Sequence, residues 1–177
     1  MHYLNPYQTA LNINFIYLMK MDFYKIISTS YDRLYGEEQK IKVEMIKQNF
    51  NIKKNDLLLD VGCGTGASSD FDCKVIGIDP SVDLIRQYNE NKVVARAENI
   101  PFKDKTFDKV ISVTSLHNFD DIGEGIKELK RVGKRDFAFS VLKKSSKFCL
   151  IEKEIISNFK IRKMLDGKKD WIFICIL

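Results

Sequence analysis

Short, nearly continuous apolar runs alternate along the chain with stretches in which apolar residues recur every three or four positions. The first pattern predicts buried strands and the second amphipathic helices. Strands are expected at 57–61 (Leu-Leu-Leu-Asp-Val), 75–79 (Val-Ile-Gly-Ile-Asp), 92–95, 109–113 and 137–142. Helices are expected at 22–27, at 37–50 with Ile41, Met45 and Ile46 on one face, and at 122–132. Another runs from a Ser81 cap to about Glu90 with Leu84, Ile85 and Tyr88 facing inward. Ser145 or Ser146 can cap a further helix in which Phe148, Ile151, Ile155 and Ile156 recur at helical spacing. Residues 160–165 and 171–176 flank the turn Asp166-Gly167-Lys168-Lys169 and predict an antiparallel hairpin. Alternating strands and helices imply an α/β domain with a mostly parallel sheet and helices on both faces.

A length of 177 residues with 45% hydrophobic residues supports one domain. Three prolines and no repeats leave no linker to a second, so the domain is expected to occupy 21–177. Residues 1–20 contain the apolar patch Phe15-Ile16-Tyr17-Leu18-Met19 together with Asn12 and Asn14. That segment is too short to span a membrane and lacks a signal peptide's basic start. It is expected to be a poorly ordered leader, or the product of a start codon upstream of Met19 or Met21. Four cysteines without C-x-x-C spacing and two histidines give no expectation of a metal site or a disulfide, and fit a reducing cytoplasm. The net charge of +5 is carried by the last third of the chain. It is either a solvated lysine-rich face or a surface for nucleic acid.

The chemistry concentrates where the first two strands end. Both finish in a carboxylate, Asp60 and Asp79, and between them lie Gly62, Gly64 and Gly66 at alternate positions. Glycines there allow a tight bend where side chains would obstruct a ligand. The dinucleotide fingerprint G-x-G-x-x-G is not matched, and Asp60 just before the bend would repel a diphosphate. A carboxylate at that point suits a ligand bearing positive charge, while Asp79 is placed to accept ribose hydroxyls. S-adenosylmethionine combines the two.

Residues 57–66 and Asp79 resemble the first two motifs of class I S-adenosylmethionine-dependent methyltransferases. Residues 94–102, 107–112 and Thr114-Ser115-Leu116-His117-Asn118 are similar to later motifs of the branch containing the ubiquinone and menaquinone methyltransferases. The resemblance implies a Rossmann-like, doubly wound, seven-stranded sheet with the C-terminal hairpin inserted into it. It implies that Asp60, Gly62 and Gly64 hold the methionine end and Asp79 the ribose, that Ala97 and Glu98 line the adenine, and that Thr114 closes the pocket floor. Cys63 and Gly66 belong to the same loop, the cysteine as a space-filler. Three departures stand out: Arg96 at a position often acidic, only residues 67–74 to hold a first helix cut to one or two turns, and Gly133-Lys134-Arg135-Asp136 in place of the usual turn before strand five.

Methyl transfer needs alignment and exclusion of water more than a base, so no catalytic residue is assigned. Residues expected on the acceptor side are His117, as a base, a donor or a packed loop histidine, and Tyr31 and Tyr35, as a lid or as helix packing. The Tyr88/Lys92 pair has the spacing of short-chain dehydrogenases but follows the wrong strand. Without an insertion to recognise it, the acceptor is either small or shared with a partner, such as the small activator proteins of some compact methyltransferases. A nicotinamide oxidoreductase and a non-catalytic cofactor-binding scaffold are the competing readings.

Overall fold

The computed structural model describes residues 36–88 and 91–177. The expectations for 1–20 and 22–27, and for Tyr31 and Tyr35, lie outside those residues.

Residues 36–50 are helical (α1). There follow β1 (Leu57–Val61), β2 (Lys74–Asp79), α2 (Val82–Ile85), β3 (Asn91–Val94), β4 (Phe107–Val113), a 3-10 turn (Leu116–Asn118), α3 (Ile122–Val132), β5 (Gly133–Leu142), α4 (Phe148–Asn158), β6 (Lys160–Gly167) and β7 (Asp170–Ile176). The strands form one sheet in the order β3-β2-β1-β4-β5-β7-β6. The first five are parallel, and β7 lies antiparallel between β5 and β6. The expected hairpin is therefore present and inserted, joined by a two-residue turn with Lys168 at φ 65°. Strand order reverses between β1 and β4, and in an open parallel sheet ligands bind outside the carboxyl ends at that point.

Each face of the sheet has its own core. On one, Phe107, Val110, Phe137, Phe139 and Phe173 pack with Ile126 and Leu129 of α3 and Ile151 and Ile155 of α4. On the other, Leu58, Ile111, Ala138 and Ile172 pack with Val43, Ile46 and Phe50 of α1. The phenylalanines Phe137, Phe139 and Phe159 form a cluster with ring centres 4.6–6.2 Å apart.

Several boundaries differ from the sequence pattern. No helix forms between β1 and β2; seven residues after Gly66 make turns only, and Ser69 and Phe71 N–H groups bond back within the turn. In α2 the Ser81 cap is present, its hydroxyl accepting from the Leu84 amide at 3.3 Å, but the helix stops at Ile85. Tyr88 faces inward as expected, against Cys63 and Ile85. Strand β5 starts at Gly133, so the segment read as a turn pairs with β4 instead. In α4 the cap position is Lys147, with Ser145 bonding the Lys147 amide, and Ile156 faces solvent. The largest difference is in α1, where Ile41 is 52% exposed and Lys42 is buried. Gln39, Lys42, Val43, Ile46 and Phe50 follow the i, i+3, i+4, i+7 stripe toward the sheet. A cation occupies that stripe because the sheet offers it a carboxylate.

Candidate cofactor site at the ends of β1, β2 and β4

After Val61 the chain turns through Gly62, Gly64 and Gly66, whose φ angles of +77°, +55° and +93° lie in the left-handed region that side chains disfavour. The bend is laced to β2: the Gly62 and Cys63 amides both donate to the Ile78 carbonyl, at 2.8 and 3.1 Å. A Cβ on Gly62 would lie 2.4 Å from that of Ser115. The Ser115 hydroxyl donates to the Val61 carbonyl at 2.8 Å and shares a hydrogen bond with Ser112, fixing the end of β4 beneath the bend. Gly66 and Gly77 leave room for the Tyr88 ring, which a Cβ at either position would meet at 2.2 and 2.4 Å.

Asp79 is nearly buried and accepts one amide on each oxygen, from Ser81 at 2.8 Å and from Gly64 at 3.0 Å. Each oxygen keeps a lone pair, as a ribose diol requires. Burial, opposed by those two amides, raises the Asp79 carboxyl above its ordinary range. Asp60 has no exposed surface. Its Oδ2 accepts the hydroxyls of Ser68 and Ser69 at 2.7 and 2.6 Å, and its Oδ1 has no partner among the described residues. Burial pushes Asp60 up to about 6, with Asp79 adding repulsion and the two serines opposing. Among the described residues, no cation pairs with either carboxylate.

That arrangement gives a pH signature. A raised carboxyl pKa means the native state binds the proton more tightly than the unfolded chain, so the penalty is full above about pH 6 and shrinks as pH falls toward the ordinary value of 3.8. Asp60→Asn is expected to be more stable than the parent at pH 7 by about 2–3 kcal/mol, with the gap closing by about pH 4. Urea unfolding of both proteins across that range measures it, and a gap independent of pH would contradict the assignment.

The other expected contacts are placed as follows. Cys63 is buried against Gly77, and burial pushes its thiol up, consistent with a space-filling role. Ala97 turns its methyl into the core. Glu98 binds the Asp120 and Asp121 amides at 2.7 and 3.2 Å and lies 3.5 Å from Arg96, which also pairs with Asp120. Its carboxylate thus ties the loop before α3 to the segment after β3. Lys92 Nζ donates to the Tyr88 main-chain carbonyl.

Thr114, at φ 55°, places its hydroxyl in a buried polar cluster that the sequence does not announce. Lys42 Nζ donates to Thr114 Oγ1 at 2.9 Å and lies 3.0 Å from Asp170 Oδ1 and 2.9 Å from Glu38 Oε1. Thr114 and Ser140 both donate to Asp170 Oδ2, at 2.8 and 2.5 Å. Lys42 and Asp170 are both essentially inaccessible. The cluster locks α1 to the carboxyl ends of β4 and β5 and to the start of β7. Three residues beyond Thr114 lies half-buried His117, its Nδ1 buried and without a partner among the described residues. Burial first, then Lys147 and Lys42, hold its imidazole below the ordinary range, and Asp170 opposes them.

Residues 59–140 match the family described as Methyltransferase domain. Over that region the chain resembles the S-adenosylmethionine-dependent methyltransferases. It is similar to uncharacterized protein MJ1252 of Methanocaldococcus jannaschii, 32% identical over 84% of this chain and 66% of that protein. It is also similar to the demethylmenaquinone methyltransferase of Staphylococcus saprophyticus, 31% identical over 63% of this chain and 56% of that one. The chain thus spans less than two thirds of the length of each. Its fold matches a Haloferax volcanii methyltransferase solved in complex with the Trm112 methyltransferase activator (TM-score 0.73, 11% identity, 86% of this chain and 96% of that one). The seven-stranded methyltransferase sheet and its inserted hairpin are those expected of this family. Among the described residues no helix is long and apolar enough to cross a membrane.

Sequence reasoning missed Ser68, Ser69, Lys42 and Asp170. The first two sit where a helix was expected, and the last two are charged residues whose burial depends on each other.

Proposed function

We propose that the chain binds S-adenosylmethionine at this site and transfers its methyl group to an acceptor approaching over the carboxyl edge of the sheet. The observation that carries the reading is the pair of buried carboxylates on adjacent strand tips, paired with no cation among the described residues and flanking a bend of three left-handed glycines. Uncompensated buried charge is costly and marks a site that awaits an opposite charge. When bound, the cofactor supplies a methyl already activated on a sulfonium.

Asp79 accepts the ribose hydroxyls on the lone pairs that Gly64 and Ser81 leave free. Asp60 supplies the negative charge behind the methionine end, where Gly62 and Gly64 keep side chains out of the way. Ala97 and Glu98 contribute backbone along the adenine, since the Glu98 carboxylate is already engaged. His117, held neutral by burial and neighbouring lysines, is suited to take a proton from an acceptor heteroatom. The test is incubation with methyl-labelled cofactor and fractionated acceptor pools, beside titration with NADH. Transfer of label with no NADH binding is expected. His117→Gln is expected to lower kcat by about 100-fold while leaving cofactor affinity within twofold; an unchanged kcat would remove His117 from proton transfer.

Five of the fourteen cations from residue 121 on form ion pairs among the described residues: Lys127 with Glu124, Arg131 with Glu128 and Asp104, Lys134 with Asp108, Lys143 with Asp166 and Lys169 with Glu38. We read the rest as a solvated basic face. A small activator protein remains part of the reading. Strand β3 ends the described sheet with Val94 53% exposed, and the Haloferax methyltransferase is in complex with such a partner. Calorimetric titration of this chain with that activator measures it.

A further inference from the structure

Asp60 is held by a device that the family resemblance does not require. The crossover from β1 to β2 makes turns instead of a helix, and this brings two consecutive serines back onto the carboxylate eight and nine residues earlier. Both hydroxyls donate to the same oxygen, Oδ2, at 2.7 and 2.6 Å, while Oδ1 is fully buried and takes no bond from the described residues. Ser68 and Ser69 are themselves 6% and 7% exposed, so the contacts are sheltered from water.

We propose that Ser68 and Ser69 are positioning residues for the cofactor site, fixing the Asp60 carboxylate in its charged form as a buried negative charge beneath the cationic end of the ligand. The inference rests on the cofactor reading above. Two hydroxyl donors favour the carboxylate over the carboxylic acid, and they act against both the burial of Asp60 and the repulsion from Asp79. No other titratable group of the described residues shifts Asp60. The serine pair therefore sets the lowest pH at which the site presents a full negative charge to an ammonium group.

The test compares the full-length chain with Ser68→Ala, Ser69→Ala and the double variant in two measurements. In the first, without ligand, carboxyl carbon NMR follows the titration of Asp60, assigned by its loss in Asp60→Asn. The midpoint is expected to rise by about one pH unit in the double variant and by less in each single one. In the second, calorimetry measures S-adenosylmethionine affinity between pH 5 and 9. The acid limb of binding is expected to move up with the midpoint, giving about fivefold weaker binding at pH 6 and near-parental binding at pH 9. Should the double variant fail to fold, the two single variants carry the same comparison. An Asp60 midpoint unmoved in all variants, with only the melting temperature lowered, would make the serines mere packing and overturn the proposal. Shifted midpoints without any S-adenosylmethionine binding by the parent would overturn the cofactor reading instead.

Discussion

Lys42→Met is expected to lower the free energy of unfolding by about 3–5 kcal/mol. The ammonium it removes is the cation beside Asp170, which has no exposed surface and keeps only the Thr114 and Ser140 hydroxyls when Lys42 is gone. A buried ion pair contributes little net stability, because desolvation offsets the attraction, but removing one partner strands the other. Lys42→Met combined with Asp170→Leu is therefore expected to recover to within about 1 kcal/mol of the parent. Urea unfolding of the three proteins measures this. A loss below about 1 kcal/mol for the single variant would mean that water reaches the cluster and that α1 is held by its apolar face alone.

Asp79→Ala is expected to weaken S-adenosylmethionine binding by about 2–4 kcal/mol, roughly 30- to 1000-fold. Two ribose hydroxyls lose an ionised acceptor, and the Gly64 and Ser81 amides lose theirs, so the bend and the start of α2 loosen together. Asp79→Asn separates the effects: an amide can still accept one of the two backbone bonds but pairs poorly with a diol that needs two acceptors. Its affinity is expected to fall by at least tenfold with a smaller change in melting temperature. Calorimetry beside thermal unfolding gives both numbers. Unchanged affinity in the alanine variant would place the ribose elsewhere.

Much of this was legible in the residues. Continuous apolar runs ending in carboxylates located β1 and β2, since buried parallel strands carry little else, and the glycine spacing between them marked the bend. Helix α3 matched its pattern to the residue because Asp121 caps it and Gly133 follows it. Other features depend on partners far along the chain. Lys42 looks like a surface lysine until Asp170, 128 residues later, is brought beside it, and Ile41 is displaced to solvent as a result. Strand β5 absorbed a Gly-Lys-Arg-Asp segment because β4 offers it hydrogen bonds, and Asp136 finds Lys109 at 2.8 Å. Thr114 was expected at the pocket floor from resemblance; its hydroxyl belongs to the α1 cluster, a detail that only the strand ends in three dimensions reveal.

The shortened crossover has the same character. Residues 67–74 are too few for a full helix and were expected to keep one or two helical turns; the chain instead folds Ser68 and Ser69 onto Asp60. Local helix propensity gave way to a buried carboxylate in need of donors.

A crystal structure of the chain with S-adenosylmethionine bound tests the central claim most directly. The account predicts both ribose hydroxyls within about 3 Å of the Asp79 carboxylate and the methionine end lying along the Gly62–Gly66 bend above Asp60. Density for the ligand at any other place on the sheet, or none at saturating concentration, would contradict it.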